Sequence, residues 1–276
     1  MDFAYDARTL ALRESLLAFM DEHVYPAEAV AGEQRAKAAS PWDVPPVVEE
    51  LKAEARRRGL WNLFFTDEHG GAGGPRGAGL TNLQYAPLAE ITGRSPQLAP
   101  LALNCAAPDT GNMELLAQFG TEEQRERWLT PLLAGEIRSA FAMTEPDVAS
   151  SDATNIETRI ERDGGDYVIT GRKWYISGAL HPDCRVFIVM GKTDPDGADV
   201  RLSSSRWSWS PGTRRGVEVR RAMQVYGYED HYHGGHAEVV LDRVRVPAAN
   251  LVGEEGAASP SPRRGWGPAG STTACG

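Results

Sequence analysis

Leu12, Leu16, Leu17, Met20 and Val24 repeat at the spacing of one helix face, and Pro26 is expected to end that run. A second helix is predicted from Val47 to about Arg58, opened by Pro45 and Pro46 and stopped by Gly59. A third runs from Thr81 to Ile91, and a fourth follows Pro108. Thr121 and Gln124 bracket a capping-box pattern whose helix carries Trp128. At about Arg138 the helical period gives way to alternation. Thr158–Arg162 and Tyr167–Thr170 are strand-like and are joined by Asp163, Gly164 and Gly165, a hairpin signal. Val186–Met190 is a short apolar strand, and Ala237–Val246 alternates with period two until Pro247 closes it. The pattern predicts an α+β chain: a helical domain over residues 1–137, an antiparallel, barrel-like β-domain over 138–254, and an irregular tail over 255–276 that is expected to be disordered.

The length of 276 residues agrees with two domains at about 150 residues each. A hydrophobic content of 41% against 24% charge supplies enough apolar surface for a core and excludes disorder of the whole chain. No apolar run approaches the ~20 residues of a membrane helix, and the acidic start at Met1–Asp6 carries no signal core, so a cytoplasmic location is expected. A net charge of −9 argues against nucleic acid as a partner, because phosphate neutralisation needs clustered Lys and Arg. Cys105, Cys184 and Cys275 are three widely spaced thiols, which fits neither a disulfide framework nor a zinc site.

Three stretches could carry chemistry. Gly70–Gly74 lacks the Lys-Ser/Thr of a phosphate loop and reads as a surface turn. His231, His233 and His236, with Glu229 or Asp230, offer donors for zinc or iron, but their spacing fits no strong metal pattern and Gly234-Gly235 suggests a turn; loop histidines are preferred. The third stretch is Phe141–Asp152, followed after the hairpin by Lys173–Gly178. Hydroxyls on strand ends beside an aromatic pair suit the rim and face of a planar heterocycle. Two ordinary strands with Trp174 in the core fit the same spacing equally well.

Four motifs resemble the acyl-CoA dehydrogenase family: Asn104–Met113, Met143–Asn155, Lys173–Gly178 and Asp242–Pro247. The resemblance runs from about residue 8 to Gly256, and the Ala107–Met113 and Tyr226–His236 stretches look most like the branch whose vertebrate members carry a kinase-like domain. It implies a helical–β–helical flavoprotein fold with FAD as cofactor. By position, Phe141, Met143, Thr144, Ser150, Ser151, Tyr175, Ile176 and Ser177 would contact the flavin, with Thr144 at the ring's polar edge and Ser151 also reaching acyl-CoA. Tyr175 stands where the family usually has tryptophan over the ring face. The implied reaction is α,β-dehydrogenation of acyl-CoA thioesters, with electrons passed to an electron-transfer flavoprotein and with a homo-oligomer as the usual assembly. No metal is implied.

The family's catalytic carboxylate lies in a C-terminal four-helix domain expected to be absent from this chain, so no residue is assigned as base, and Glu145 in particular is not. The alternative is a catalytically dead acyl-CoA- or flavin-binding module. Residues 201–215 and 257–276 break from their surroundings and hold Trp207, Trp209 and Trp266, three of the seven tryptophans. A one-base shift of a permissible coding gives a buried-type strand and turn for the first stretch and, for Arg264–Gly276, helix-compatible text similar to the family, so both are expected to be frameshift products that remove a strand and the third domain.

Overall fold

A computed structural model describes residues 4–65, 77–193, 200–206 and 216–253, in two compact units, one ending at Gln118 and one beginning at Phe119. The first unit opens with α1 (Ala7–Phe19), capped by the Asp6 carboxylate, which accepts from Thr9 N at 2.7 Å. Pro26 does not end this helix as expected. A π turn (Met20–Val24) leads straight into α2 (Tyr25–Ala36), with Tyr25 N donating to Met20 O. The wide turn shifts the hydrogen-bond register just before the proline, where a ring without an N–H would otherwise break an α ladder. Leu16, Phe19, Met20 and Val24 are buried as their spacing requires.

α3 (Val47–Arg57) starts and stops where Pro46 and Gly59 place it, and Gly59 takes φ +70°. α4 (Asn82–Thr92) carries a complete capping box between Thr81 and Gln84 and tolerates Pro87 inside it. α5 (Ala99–Ala102) is a single turn, and α6 (Asp109–Phe119) follows Pro108.

The second unit begins with α7 (Glu122–Gln124), a π turn (Arg125–Leu129) and α8 (Thr130–Leu133). Thr121 and Gln124 form the expected box, and Gln124 Nε2 also donates to Ala249 O at 2.7 Å and Leu251 O at 2.9 Å. Trp128 is buried.

The sheet contains β1 (Arg138–Ala142), β2 (Arg159–Asp163), β3 (Asp166–Ser177), β4 (Cys184–Lys192), β5 (Val200–Arg206), β6 (Val217–Met223) and β7 (His236–Pro247). Its order is β1-β4-β2-β3-β7-β6, with β5 also on β4. The sheet is mixed where an antiparallel one was expected: β1 and β2 both pair with β4 in parallel, the rest being antiparallel. The β2–β3 hairpin turns at Gly164-Gly165 with Asp163 opposite Asp166, and its positive φ falls on Gly164. The expected loss of a strand does not occur at Val200–Arg206, which runs along β4 from Lys192 back to Val186. Residues 207–215, the 254–276 tail and Gly70–Gly74 lie outside the described residues. Among the described residues no helix is long and apolar enough to cross a membrane.

Glu114, on α6, is buried, and burial raises its carboxyl to about 7. A folded-state value above the unfolded one gives stability that is complete at low pH and is lost as pH rises towards 7. Glu114→Gln removes the charge without changing shape, so its urea midpoint is expected to exceed that of the parent chain at pH 8 and to match it near pH 4. Equal midpoints at both values would refute the burial argument.

Candidate functional site

Lys173 points inward from β3 and is fully buried. Its three N–H bonds are all taken: Nζ donates to Met143 O at 2.8 Å, Met190 O at 2.7 Å and Glu145 Oε1 at 2.8 Å. The Glu145 carboxylate, also buried, accepts from Glu157 N at 2.8 Å and Thr158 N at 3.0 Å. Burial pulls Lys173 down to about 8, against the opposing attraction of Glu145. Burial pushes Glu145 up, but the charge and hydrogen bond of Lys173 and the two amides hold it below the usual carboxylate range. The pair ties the end of β1, the loop 144–158, β3 and β4 into one body.

Above this anchor the two chains of the site are stitched together. Trp174 N donates to Thr144 O at 3.0 Å, and Thr144 Oγ1 donates to Trp174 O at 2.7 Å. Thr144 therefore presents only lone pairs outward. Ser150 closes its own loop, with Oγ accepting from Glu145 N at 2.7 Å and donating to Glu145 O at 3.2 Å. Ser151, its neighbour, is exposed. Phe141 and Met143 pack on the buried Ala153, Ile156 and Met190.

On β3 the register against β7 slips between Lys173 and Ile176. Ile176 returns to the core, and Tyr175 is left outward at φ +51° and 41% exposed, with its ring edge-on to Trp174 at 5.3 Å. Ser177 Oγ lies 2.9 Å from His236 Nδ1. The eight residues singled out in the sequence thus divide by contact: Ser150 and Ile176 are buried, Phe141 and Met143 support the loop from beneath, and Ser151, Tyr175, Ser177 and the lone pairs of Thr144 remain free to meet a ligand. An outward aromatic between hydroxyl groups fits a planar, hydrogen-bonding ring such as flavin in the chemistry of its donor set.

The histidine loop is organised around Asp230. His233 Nδ1 lies 2.8 Å from its Oδ1, and His236 Nε2 lies 3.8 Å from its Oδ2, whereas His231 faces Glu229 at 3.7 Å. Among the described residues no group of three or more His, Cys, Asp or Glu is placed to hold a metal. Beside the 144–158 loop an open cavity of about 820 Å³ is lined by Val148, Ala149, Asn155, Ile156 and Glu157, with Arg159 and Lys192 supplying positive charge.

Sequence reasoning missed Lys173 as a buried group, although it shares parity with Tyr167 and Ile169 along the strand. It also missed Glu238, whose buried carboxylate accepts from Arg172 Nε at 2.8 Å and Arg221 Nε at 2.7 Å.

Comparison with known proteins matches residues 6–136 to the acyl-CoA dehydrogenase N-terminal domain and residues 140–244 to the acyl-CoA dehydrogenase middle domain. FadE2 of Mycobacterium tuberculosis, assigned as an acyl-CoA dehydrogenase, is 55% identical over 93% of this chain and 60% of its own length. Acyl-CoA dehydrogenase family member 11 of Gallus gallus is 50% identical over 86% of this chain and 30% of its own. The chain therefore spans less than two thirds of either relative. A solved structure from Mycobacterium abscessus, assigned to the same activity, superposes with TM-score 0.86 at 42% identity, over 99% of this chain and 66% of its own. The FAD complex of an acyl-CoA dehydrogenase from Bacillus anthracis superposes with TM-score 0.63 at 25% identity, over 92% of this chain and 39% of its own.

Removing one partner of a buried ion pair strands the other charge, which costs about 3–5 kcal/mol. Glu145→Gln and Lys173→Met are each expected to lower stability by that order in urea denaturation. The double variant should lose less than the sum of the two. Additive losses would show that the pair is not coupled.

Proposed function

The chain belongs to the acyl-CoA dehydrogenase family, and from that premise we propose that its second unit holds FAD against Thr144, Ser151, Tyr175 and Ser177, as the flavin-binding part of an enzyme that desaturates acyl-CoA thioesters. The observation that carries the reading is Tyr175, an aromatic held outward at positive φ between hydroxyl-bearing strand ends. Thr144 accepts from an N–H of the ring edge, since its own proton is committed to Trp174 O. Tyr175 covers one ring face, and the Lys173–Glu145 anchor keeps both segments from moving apart. When bound, FAD supplies the acceptor for the β-hydrogen while a carboxylate takes the α-proton. That carboxylate is not Glu145, whose oxygens already hold Lys173, Glu157 N and Thr158 N.

The cavity beside the 144–158 loop receives the CoA portion. Arg159 and Lys192 attract its phosphates, and Val148 and Ile156 supply apolar wall. A second flavoprotein accepts the electrons, and the working assembly is a homo-oligomer. The reading that keeps binding but no chemistry, a ligand-binding module, is separated from this one by redox change alone.

Titration with FAD is expected to give saturable uptake with a perturbed visible spectrum, and Tyr175→Ala to weaken it roughly tenfold, the worth of one aromatic face. A spectrum identical to free FAD at every concentration would sink the proposal. Charge reversal at Arg159 and Lys192 together should weaken CoA binding several-fold at low salt and less at high salt. Equal binding by both proteins places the CoA phosphates elsewhere.

A further inference from the structure

His236 opens β7 directly opposite Ser177 of β3 and Met223 of β6. The loop before it is docked firmly: Gly178 N donates to Gly235 O at 2.9 Å, Leu180 N to Gly234 O at 2.9 Å, and Gly235 N to Asp230 O at 3.0 Å. Gly234, at φ +79°, packs so closely on His181 that a Cβ there would sit 2.5 Å from the His181 Cβ. The imidazole thus hydrogen-bonds Ser177 Oγ at 2.9 Å through Nδ1, while Nε2 faces the Asp230 carboxylate at an ion-pair distance of 3.8 Å.

This arrangement gives the two protonation states different consequences. Burial pushes Asp230 up, but the hydrogen bond from His233 and the nearby imidazoles pull it below the usual carboxylate range, so it stays charged. An anion beside Nε2 keeps the proton of neutral His236 on that nitrogen, which leaves Nδ1 to accept the Ser177 O–H. Ser177 then offers only lone pairs outward. Protonated His236 donates from Nδ1 to Ser177 Oγ, and the hydroxyl proton turns outward. The other titratable or charged groups about it are His233 on Asp230, His231 with Glu229, His181 under Gly234, and Glu238, which is engaged by Arg172 and Arg221; β6 presents only Met223 opposite.

We propose that His236 is a positioning residue that sets, through the Ser177 hydroxyl, whether the flavin site donates or accepts a hydrogen bond, and so makes the affinity for oxidised flavin depend on pH. The inference rests on the FAD reading above. Oxidised isoalloxazine presents mostly acceptors along its polar edge, so it gains from a donating Ser177. Lower pH therefore favours its binding.

The test is FAD affinity measured by flavin fluorescence at about pH 8 and about pH 5.5. The full chain is expected to bind roughly three- to tenfold tighter at the lower pH, the worth of one hydrogen bond. Ser177→Ala and His236→Asn, both checked for folding by circular dichroism, should each lose that difference. Ser177→Thr, which keeps the hydroxyl, should retain it. A pH difference that survives in Ser177→Ala overturns this proposal alone, because it then arises from charge without the hydroxyl. A parent chain that takes up no FAD at either pH overturns the FAD reading and this proposal together.

Discussion

Everything at the candidate site hangs on one buried ion pair. Desolvating Lys173 and Glu145 costs several kcal/mol for each ion, and a pair of apolar side chains of the same volume would fold as well or better. Methionines could not, however, hold two carbonyls and two amides in place. Lys173 spends its three donors on Met143 O, Met190 O and Glu145, and Glu145 spends its oxygens on Lys173, Glu157 N and Thr158 N. Every polar group that the pair takes out of water is thereby matched. The result is a loop of some fifteen residues, 144–158, fixed at both its ends although its only helical piece is a single 3-10 turn, Ala153–Asn155.

The same pair explains the distortion of β3. A regular strand that sends Lys173 inward would send Tyr175 inward and Ile176 outward. The apolar demand at Ile176 runs the other way. The register slip between Lys173 and Ile176 satisfies both, and the residue squeezed between them is Tyr175, at φ +51°. A non-glycine residue in that region costs about 1–3 kcal/mol and persists only where its surroundings over-determine it. Here they do, since Tyr175 N reaches Met223 Sδ at 3.4 Å and Trp174 is stitched to Thr144. An aromatic stands outward from the sheet because a lysine two residues before it points in.

What could be read from the sequence was what short-range chemistry decides. The Gly164-Gly165 hairpin, the Pro46 start and Gly59 stop of α3 and the Thr121–Gln124 box each depend on residues within one turn of one another. Pro26 defied its local rule because the preceding turn changed register, a compensation spread over Met20–Val24 and invisible in any one residue. The parallel pairing of β1 and β2 with β4 was equally hidden, because an apolar strand looks the same whichever way its neighbour runs. At the site, the segments were legible but the roles within them were not. Ser150 and Ser151 are adjacent hydroxyls in one motif, yet the first is consumed by Glu145 and only the second is exposed. Lys173 was legible only by parity, and ordinary preference for solvent argues the opposite for a lysine.

The histidine loop shows how composition can suggest chemistry that geometry then redirects. A metal needs its donors to converge on one point about 2.0–2.2 Å from each. In this loop the point is occupied by a carboxylate. Asp230, in the left-handed region at φ +48°, offers one oxygen to His233 and the other to His236, and His231 turns to Glu229 instead. Each imidazole is oriented by an anion, so the nitrogen that remains points away from the centre. For His236 that nitrogen is Nδ1, and what it meets is the hydroxyl of Ser177 on the neighbouring strand. Two of the three histidines thus face one carboxylate and the third faces another, and His236 also meets a hydroxyl on the neighbouring strand.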